Sequence, residues 1–259
     1  MGRYWPTAAV ALGVLITAAC GHSDNAHGDS TTTPAASTAA APTSAADPAG
    51  LPLCTNVRTE GDPPPDCRLV SRDRAGLTFV VRHRVPTPTP GAYRQRADVT
   101  IEVIGRDGAV RQTLSEPGTQ TFGEPQLAQL AADDRDQLVV PLSIAANGNA
   151  TLAVYRATDS DPDFVRAGEI GGLFGVNRST NGYIVGSSKS GPADKYLDFW
   201  RFDGSTLAPV AAIIETYKAD GSSTCKANDE GNHPNSGMSA DEVARKFCGE
   251  KYARAEPVH

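Results

Sequence analysis

The sequence lacks the motifs by which many enzymes are recognised. It contains no G-x-S-x-G nucleophile elbow and no G-K-[ST] ending of a phosphate-binding loop. The segment Gly186–Gly191 is rich in glycine and serine, but Pro192 follows it where a helix would have to continue, so we expect a loop. We therefore expect no catalytic residue, no cofactor and no enzymatic activity.

Histidine, the commonest catalytic base, is scarce, with five residues in a chain of 259. Within the folded region we considered His83 and His233. His83 lies between Arg82 and Arg84 near the end of an expected strand, a context typical of a solvated face. His233 lies in a Gly/Asn/Pro segment typical of a turn, so neither is expected to act as a base.

Metal-binding patterns are incomplete. Asp159, Asp161 and Asp163 alternate as the first ligands of a calcium loop do. However, Phe164 occupies the position of the loop glycine and Ile170 that of the bidentate glutamate. We expect a solvated acidic turn and no metal site.

An excess of basic residues is also missing. Asp and Glu together number 30 against 24 Lys and Arg, which gives a net charge of −6. This balance argues against nucleic-acid binding and against electrostatic adhesion to an anionic membrane.

The main apolar run, Thr7–Ala19, follows Arg3 and is shorter than the ~20 residues that span a bilayer. Its layout is typical of a cleavable export signal. The run Leu15–Cys20 (LITAAC) resembles the lipobox of bacterial lipoproteins, although Thr17 replaces the usual leucine. The resemblance implies that residues 1–19 are a signal peptide and that Cys20 carries diacylglycerol and fatty acyl chains such as palmitate. The alternative is an ordinary secretory signal with an incidental cysteine.

The segment after Cys20 is a predicted tether. Residues 21–50 contain no Val, Ile, Leu, Met or aromatic residue and are dominated by Ala, Thr, Ser and Pro. Such a chain cannot bury enough surface to order itself, and it spans roughly 30 Å root-mean-square. Residues 20–50 are therefore expected to present one domain, residues 51–259, on the extracytoplasmic face of a membrane. With 18 arginines against 6 lysines, the layout resembles actinobacterial lipoproteins.

Five cysteines become an even set if Cys20 carries lipid. Cys54, Cys67, Cys225 and Cys248 allow three disulfide pairings in an oxidising compartment. We favour the local pairs Cys54–Cys67 and Cys225–Cys248. Zinc is the rival interpretation, but neither pair has C-x-x-C spacing and His233 is the only histidine near either pair in sequence.

The domain is expected to be mostly β. Alternating apolar strands are separated by Asx-Gly dipeptides, which favour hairpin turns; these are Asp107-Gly108, Asn147-Gly148, Asn181-Gly182 and Asp203-Gly204. Pro141 predicts an edge or bulged strand. The aromatic residues Phe199, Trp200 and Phe202 are expected in the core. Ser239, followed by Asp241 and Glu242, predicts a short helix that leads to Cys248.

A faint repeat of 45 residues relates Val139-Val140 to Ile184-Val185 and Leu152–Arg156 to Leu197–Arg201. This is about the length of one four-stranded propeller blade. The stretch Leu130–Val140 resembles the acidic loop of FG-GAP and VCBS-type repeats, which carries calcium ligands in that family. Here only Asp133 and Asp136 fall on plausible ligand positions and the loop glycines are absent, so we expect no calcium site. We expect antiparallel hairpin repeats forming a partial propeller or a sandwich.

These features together predict a non-enzymatic, membrane-anchored binding or accessory module of the cell envelope, with a protein or glycan partner. The expected binding face combines three loops, which contain Asp133–Asp136, Asp159–Asp163 and Ser187–Pro192. The alternatives are an envelope hydrolase with an unrecognised pair of carboxylates and an inhibitor of another envelope protein.

Overall fold

The structure is a computed structural model, and it describes residues 48–56, 64–91, 95–120, 122–158, 162–173, 175–228 and 237–255. The predicted signal peptide, Cys20 and most of the predicted tether lie outside these residues, as do Asp159, Asp161 and His233. Within the described part, no helix is both long enough and apolar enough to cross a membrane.

The described chain is mostly β, as predicted, with one short α-helix. Two short 3-10 turns, Pro48–Gly50 and Cys54–Asn56, precede the first strand. The strands and the helix are β1 (Cys67–Val70), β2 (Thr78–Arg84), β3 (Arg96–Ile104), β4 (Val110–Gln120), β5 (Gln126–Ala128), β6 (Gln137–Ile144), β7 (Asn149–Arg156), β8 (Val165–Leu173), β9 (Asn177–Ser179), β10 (Ile184–Lys189), β11 (Asp194–Asp203), β12 (Thr206–Tyr217), β13 (Ser223–Ala227), α1 (Ala240–Phe247) and β14 (Tyr252–Arg254).

The strands form three antiparallel sheets. Sheet A has the order β1-β2-β3-β4, and sheet B has the order β5-β6-β7-β8. Sheet C has the order β13-β12-β11-β10-β9-β14. Strands that follow one another along the chain are neighbours in each sheet, and β14 alone departs from this rule, because it pairs with β9.

The four Asx-Gly turns lie where they were predicted. Each glycine has a positive φ, with values of 76° at Gly108, 86° at Gly148, 82° at Gly182 and 58° at Gly204. These turns join β3 to β4, β6 to β7, β9 to β10 and β11 to β12. The dipeptides are thus sufficient to locate four of the hairpins, because L-residues with a side chain rarely adopt this conformation.

Replacing Gly182 by Ala should lower the free energy of unfolding by about 1–2 kcal/mol, the usual cost of a left-handed conformation with a Cβ. A new methyl group there meets no atom within 4 Å, so backbone strain alone produces the loss. Gly191→Ala is the matched control, since that site is equally open and has no positive φ. Urea titration of both variants measures the difference, and equal stabilities would contradict the explanation.

The core is layered. One apolar cluster lies between sheets A and B and includes Phe79, Ile101 and Leu138. A second joins the other face of sheet B to sheet C, through residues such as Val139 and Ile184. Residues Gln137–Val140 of β6 are therefore buried on both faces of the sheet. This explains the continuous apolar run in that strand.

Helix α1 covers the remaining face of sheet C. Its Val243 and Phe247 pack in a third cluster with strand residues such as Phe199. The predicted cap is confirmed, because the Ser239 side chain accepts a hydrogen bond from the Glu242 N–H and the Glu242 carboxylate accepts one from the Ser239 N–H. Trp200 and Phe202 pack against the second cluster instead.

Both local disulfides are present. Cys54–Cys67 joins the second 3-10 turn to the first residue of β1, and Cys225–Cys248 joins β13 to the residue after α1. The second bridge fixes the end of the helix to β13, an edge strand of sheet C. The local pairing is confirmed in both cases.

One expectation needs correction, and the either/or prediction for Pro141 is met by its second alternative. The segment Gly186–Gly191 is not a loop throughout, because its first four residues belong to β10 and pair with β11. Its glycine, serine and lysine residues show no apolar alternation, so the sequence did not predict a strand there. Pro141 lies in β6, which is not an edge strand, but the predicted irregularity is there: the register with β7 shifts between Pro141 and Ser143.

Candidate functional site

One end of sheets A and B brings together a histidine, a glutamate and a disulfide. Cys67 is the first residue of β1, His83 is near the end of β2, and Glu124 lies in the loop between β4 and β5. We call His83, Glu124 and the Cys54–Cys67 disulfide the Glu124 site, and the end where they lie the upper end of the sheets.

The side chains of the Glu124 site are almost fully buried. His83 Nε2 lies 3.8 Å from Glu124 Oε2, with side-chain exposures of 3% and 8%. Cys67 Sγ lies 3.6 Å from the same oxygen. His83 Nδ1 and Glu124 Oε1 have no hydrogen-bond partner among the described residues. The expectation that His83 lies on a solvated face is therefore wrong.

Burial changes the charges of this pair. Desolvation raises the pKa of Glu124 to about 7. Desolvation also lowers the pKa of His83, against the opposing charge of Asp66. Near neutral pH the imidazole is therefore uncharged, and the Glu124 carboxyl exchanges its proton within the physiological range. A carboxyl with that pKa can act as a hydrogen-bond donor or as a proton acceptor.

Glu124 also borders a pocket of about 380 Å³ at the upper end of sheet B. Apolar side chains from the β4–β5 loop, β6 and β7 form much of its wall, and the polar groups include Gln126. The apolar lining residues are Phe122, Pro141, Ile144 and Leu152. Among the described lining residues, the pocket thus combines apolar side chains with one titratable side chain, that of Glu124.

A second buried polar cluster lies at the opposite, lower end of sheets A and B. Asp136 Oδ2 accepts hydrogen bonds from Ser71 Oγ and the Arg72 N–H, both at 2.9 Å. Asp73 Oδ2 accepts one from Arg135 Nε at 3.0 Å. These bonds join the β1–β2 loop of sheet A to the β5–β6 loop of sheet B. We assign this cluster a structural role.

The two residues that match the ligand positions of FG-GAP repeats, Asp133 and Asp136, do not form an open site. Asp136 is 1% exposed, and one of its carboxylate oxygens is engaged by loop donors. Asp133 Oδ2 lies 2.5 Å from Arg156 Nη2, in an ion pair. The two carboxylates are thus used to connect elements of the fold, and no close group of three potential ligands that includes either one is found among the described residues.

The three loops expected to form one binding face lie at different ends. Asp133 pairs with Arg156 at the lower end of sheet B. Lys189, in the third loop segment, exchanges hydrogen bonds with Asn149 beside the β6–β7 turn, at the upper end. Asp163 is described and exposed, whereas Asp159 and Asp161 lie outside the described residues. The proposed common face is therefore not formed.

Sequence reasoning missed Glu124 altogether. It lies between Gly123 and Pro125 in a connection, where a glutamate usually faces solvent. No local pattern shows that the β4–β5 loop folds against the start of β1 and the end of β2. Only the pairing of Cys54 with Cys67, combined with the position of His83 on the neighbouring strand, pointed to this end of sheet A.

Comparison of the chain with protein-family models, with curated proteins and with solved structures found no match.

Proposed function

We propose that the protein is a lipid-anchored extracytoplasmic binding protein whose β domain holds a small, largely apolar ligand in the pocket beside Glu124. The observation that carries this proposal is the pocket itself. Its volume of about 380 Å³ falls within the usual range for small-molecule sites, about 300–1,000 Å³. Among the described residues its polar side chains are Glu124 and Gln126, which can orient a ligand through one or two hydrogen bonds.

The position of Glu124 specifies the ligand chemistry. Below a pH of about 7 its carboxyl is protonated, so it can donate one hydrogen bond and accept another. A hydroxyl group satisfies both. Above that pH the carboxylate favours a cationic amine. A ligand with an apolar body and one hydroxyl or amine group therefore fits the pocket better than a glycan or an extended protein surface.

Anchoring at Cys20 follows from the lipobox resemblance, and the two disulfides support an oxidising, extracytoplasmic compartment. The ~30-residue tether, which spans roughly 30 Å root-mean-square as a flexible chain, would be long enough to lift the domain clear of the lipid headgroups. We further propose that sheets A, B and the four-strand run β9–β12 are propeller-like repeats of about 45 residues. Their consecutive order along the chain supports this.

Cys20→Ala should abolish lipidation, and the protein should leave the detergent phase in a phase-partition assay. Two or more acyl chains give stable anchoring, whereas removal of the acceptor thiol leaves none. The wild-type protein is the control. Wild-type protein that stays in the aqueous phase after processing would contradict the anchor.

Filling the pocket should abolish ligand binding. A Cβ added at Gly123 approaches Pro141 Cγ at 3.6 Å, and both residues line the pocket, so Gly123→Leu should occupy part of its volume. Titration calorimetry with straight-chain alcohols and amines of six to ten carbons is expected to show binding that Gly123→Leu weakens more than about tenfold, roughly 1.4 kcal/mol.

The matched control is Gly191→Leu, at an open site that does not line the pocket, which should leave the affinity unchanged. Binding that survives Gly123→Leu would place the ligand elsewhere. If no alcohol or amine of the panel binds, the proposed ligand class is wrong.

A second candidate is a hydrolase. The observation that favours it is the contact of Glu124, with its pKa raised to about 7, with an uncharged imidazole, a combination suited to general acid–base catalysis. Hydrolysis of envelope esters or glycosides by the wild type, lost in Glu124→Gln, would support it. An activity equal in both proteins would exclude Glu124 as its acid or base.

A further inference from the structure

We infer that Asn181 is a deamidation site, and that its conversion to aspartate or isoaspartate releases the carboxy-terminal strand β14 from sheet C. Two features of the molecule support this modification. The Asn181-Gly182 turn is exposed, and Asn181 donates two hydrogen bonds to Glu250, which lies just before β14. The modification would occur whether or not the pocket beside Glu124 holds a ligand.

The turn between β9 and β10 has a sequence that hinders this reaction very little. Asn181 and Gly182 are both exposed, and Gly182 has a positive φ of 82°. Glycine has no side chain to shield its backbone nitrogen, which is the atom that attacks the preceding carboxamide. In the folded turn the Gly182 N–H donates a hydrogen bond to the Ser179 carbonyl oxygen at 3.1 Å. The reaction therefore proceeds when this turn opens transiently, a local event at an exposed hairpin.

The reaction needs water and no other reactant. The Gly182 backbone nitrogen loses its proton and attacks Asn181 Cγ, which forms a cyclic imide. The bond from Cγ to Nδ2 breaks, and the side-chain nitrogen leaves as ammonia with the proton that Gly182 lost. Water then opens the ring at either carbonyl. One opening gives aspartate, and the other gives isoaspartate, in which the main chain runs through the former side chain. Both products carry a carboxylate at neutral pH.

A carboxylate holds the side chain of Asn181. Asn181 Nδ2 donates a hydrogen bond to Glu250 Oε2 at 2.7 Å, and the Asn181 N–H donates one to Glu250 Oε1 at 3.2 Å. Burial alone would raise the pKa of Glu250, but hydrogen bonds from Asn181 and Ser179 and the charge of Lys246 lower it below its usual value. Glu250 is therefore ionised at neutral pH, and its carboxylate is stabilised by a hydrogen-bond donor at position 181.

Deamidation replaces this donor by an acceptor. An aspartate carboxylate at position 181 would face the Glu250 carboxylate across the same short distance, so a charge-assisted hydrogen bond becomes a contact between like charges. Isoaspartate carries the same charge and also adds a methylene group to the main chain of the turn. Either product therefore separates the turn from Glu250.

Strand β14 follows directly after this contact. Its residues Tyr252–Arg254 pair with β9, the strand that leads into the Asn181-Gly182 turn. The Cys225–Cys248 disulfide holds the chain two residues before Glu250. Repulsion between positions 181 and 250 therefore moves β14 away from β9, whereas the end of α1 stays joined to β13.

A second Asn-Gly turn offers a matched comparison within the same molecule. Gly148 has a φ of 86°, and its N–H donates to the Ala145 carbonyl oxygen at 2.9 Å, so the backbone of this turn resembles that of Asn181-Gly182. Asn147 Nδ2, however, donates to the Lys189 carbonyl oxygen at 3.2 Å. An aspartate at position 147 would lose this bond but would meet a neutral carbonyl in place of a carboxylate. Asn147→Asp is therefore the control for Asn181→Asp.

The chemical step is tested by incubating the full-length protein in detergent at pH 8 for several weeks, beside a sample unfolded in urea. Peptide mapping that separates aspartate from isoaspartate is expected to show both products at position 181 in the folded protein. Folded protein that keeps Asn181 intact while the unfolded sample is converted would overturn the proposal, because the turn would then not open far enough for the reaction.

The structural step is tested by hydrogen-exchange mass spectrometry of Asn181→Asp. Amides of residues 249–255 should exchange at least about fivefold faster than in the wild type, because a hydrogen bond to a charged group is lost. Asn147→Asp should leave these amides as protected as in the wild type. Asn181→Asp/Glu250→Gln should restore the protection, because the glutamine amide can donate a hydrogen bond to the new carboxylate.

Equal exchange of residues 249–255 in Asn181→Asp and the wild type would refute the release of β14. Equal acceleration in Asn181→Asp and Asn147→Asp would also refute it, because the effect would then not arise at Glu250. A double variant that exchanges as fast as Asn181→Asp would exclude repulsion between the two carboxylates as the cause.

Discussion

Replacing Glu124 by Gln should stabilise the protein at pH 8 by about 3 kcal/mol and by less than about 1 kcal/mol at pH 5. Gln keeps the shape of the protonated acid but cannot ionise. The wild-type carboxyl has its pKa raised by burial from 4.5 to about 7, so at pH 8 folding must hold an ionised group in a site that disfavours the charge.

The sign of the effect follows from proton binding. Between pH 4.5 and about 7 the folded state binds more protons at Glu124 than the unfolded state does, so this group lowers stability as pH rises. Above the pKa of Glu124 in the folded protein, the full loss of stability is present. Urea unfolding of the wild type and of Glu124→Gln across pH 5 to 8 measures this loss. The difference in unfolding free energy between the two proteins should increase as the pH rises.

Glu169→Gln is the control. Its carboxylate is 49% exposed and pairs with Arg166 at the surface, so the change should cost only about 0–1 kcal/mol at pH 8. A Glu124→Gln protein no more stable than the wild type at pH 8 would mean that Glu124 is not held in an apolar site. A residue that reduces stability at neutral pH is retained more readily for function than for folding.

The opposite result is expected at the lower end of the sheets, where Asp73→Ala should destabilise the protein by about 3–5 kcal/mol, the usual cost of removing one partner of a buried ion pair. Asp73 Oδ2 lies 3.0 Å from Arg135 Nε, and the two side chains are 1% and 7% exposed. The substitution also removes the acceptor of the Ala75 and Asp136 N–H groups. Thermal or urea unfolding at pH 7 measures the loss.

The same residue gives a pH dependence of the opposite sign to that of Glu124. Burial favours a higher pKa for Asp73, but hydrogen bonds with Ser71, the Asp136 and Ala75 backbone and Arg135 together lower the pKa below its usual value. Its stabilising effect is therefore present above the unfolded pKa and is lost as pH falls through the folded one.

Asp107→Ala is the matched control for Asp73→Ala. Asp107 Oδ1 lies 4.0 Å from Arg111 Nη2, and both side chains are more than half exposed. Loss of this ion pair should therefore change the free energy of unfolding by less than about 1 kcal/mol. If Asp73→Ala is no more destabilising than Asp107→Ala, the lower cluster does not hold sheets A and B together.

Local signals in the sequence were reliable where the local chain determines the structure. Four hairpin turns followed from Asx-Gly dipeptides, because the required positive φ restricts the residue type. The helix followed from Ser239 and Glu242, which cap each other within one turn. The two disulfides followed from cysteine number and spacing. Each of these features depends on neighbours within about 25 residues.

Features that depend on distant neighbours were not predictable. β8 contains three glycines and gives no alternating pattern, yet it packs against β10 of sheet C. A Cβ on Gly186 would lie 2.7 Å from the Gly171 carbonyl oxygen. Gly186 of β10 is therefore needed for the close approach of the two sheets, a requirement that no local pattern shows. The contact of Glu124 with His83 has the same origin, because it joins a loop to a strand across the fold.

The pairing of β14 with β9 has a consequence for the order in which the chain can fold. Tyr252–Arg254 supply one edge partner of a strand only three residues long, Asn177–Ser179. A chain that emerges amino terminus first can complete sheets A and B from neighbouring strands, but β9 keeps an open edge until the last elements arrive. Contacts so distant in sequence form slowly. The Cys225–Cys248 bridge shortens that search, since it fixes Cys248 a few residues before β14. Oxidation of this pair is thus expected to set the rate at which sheet C closes.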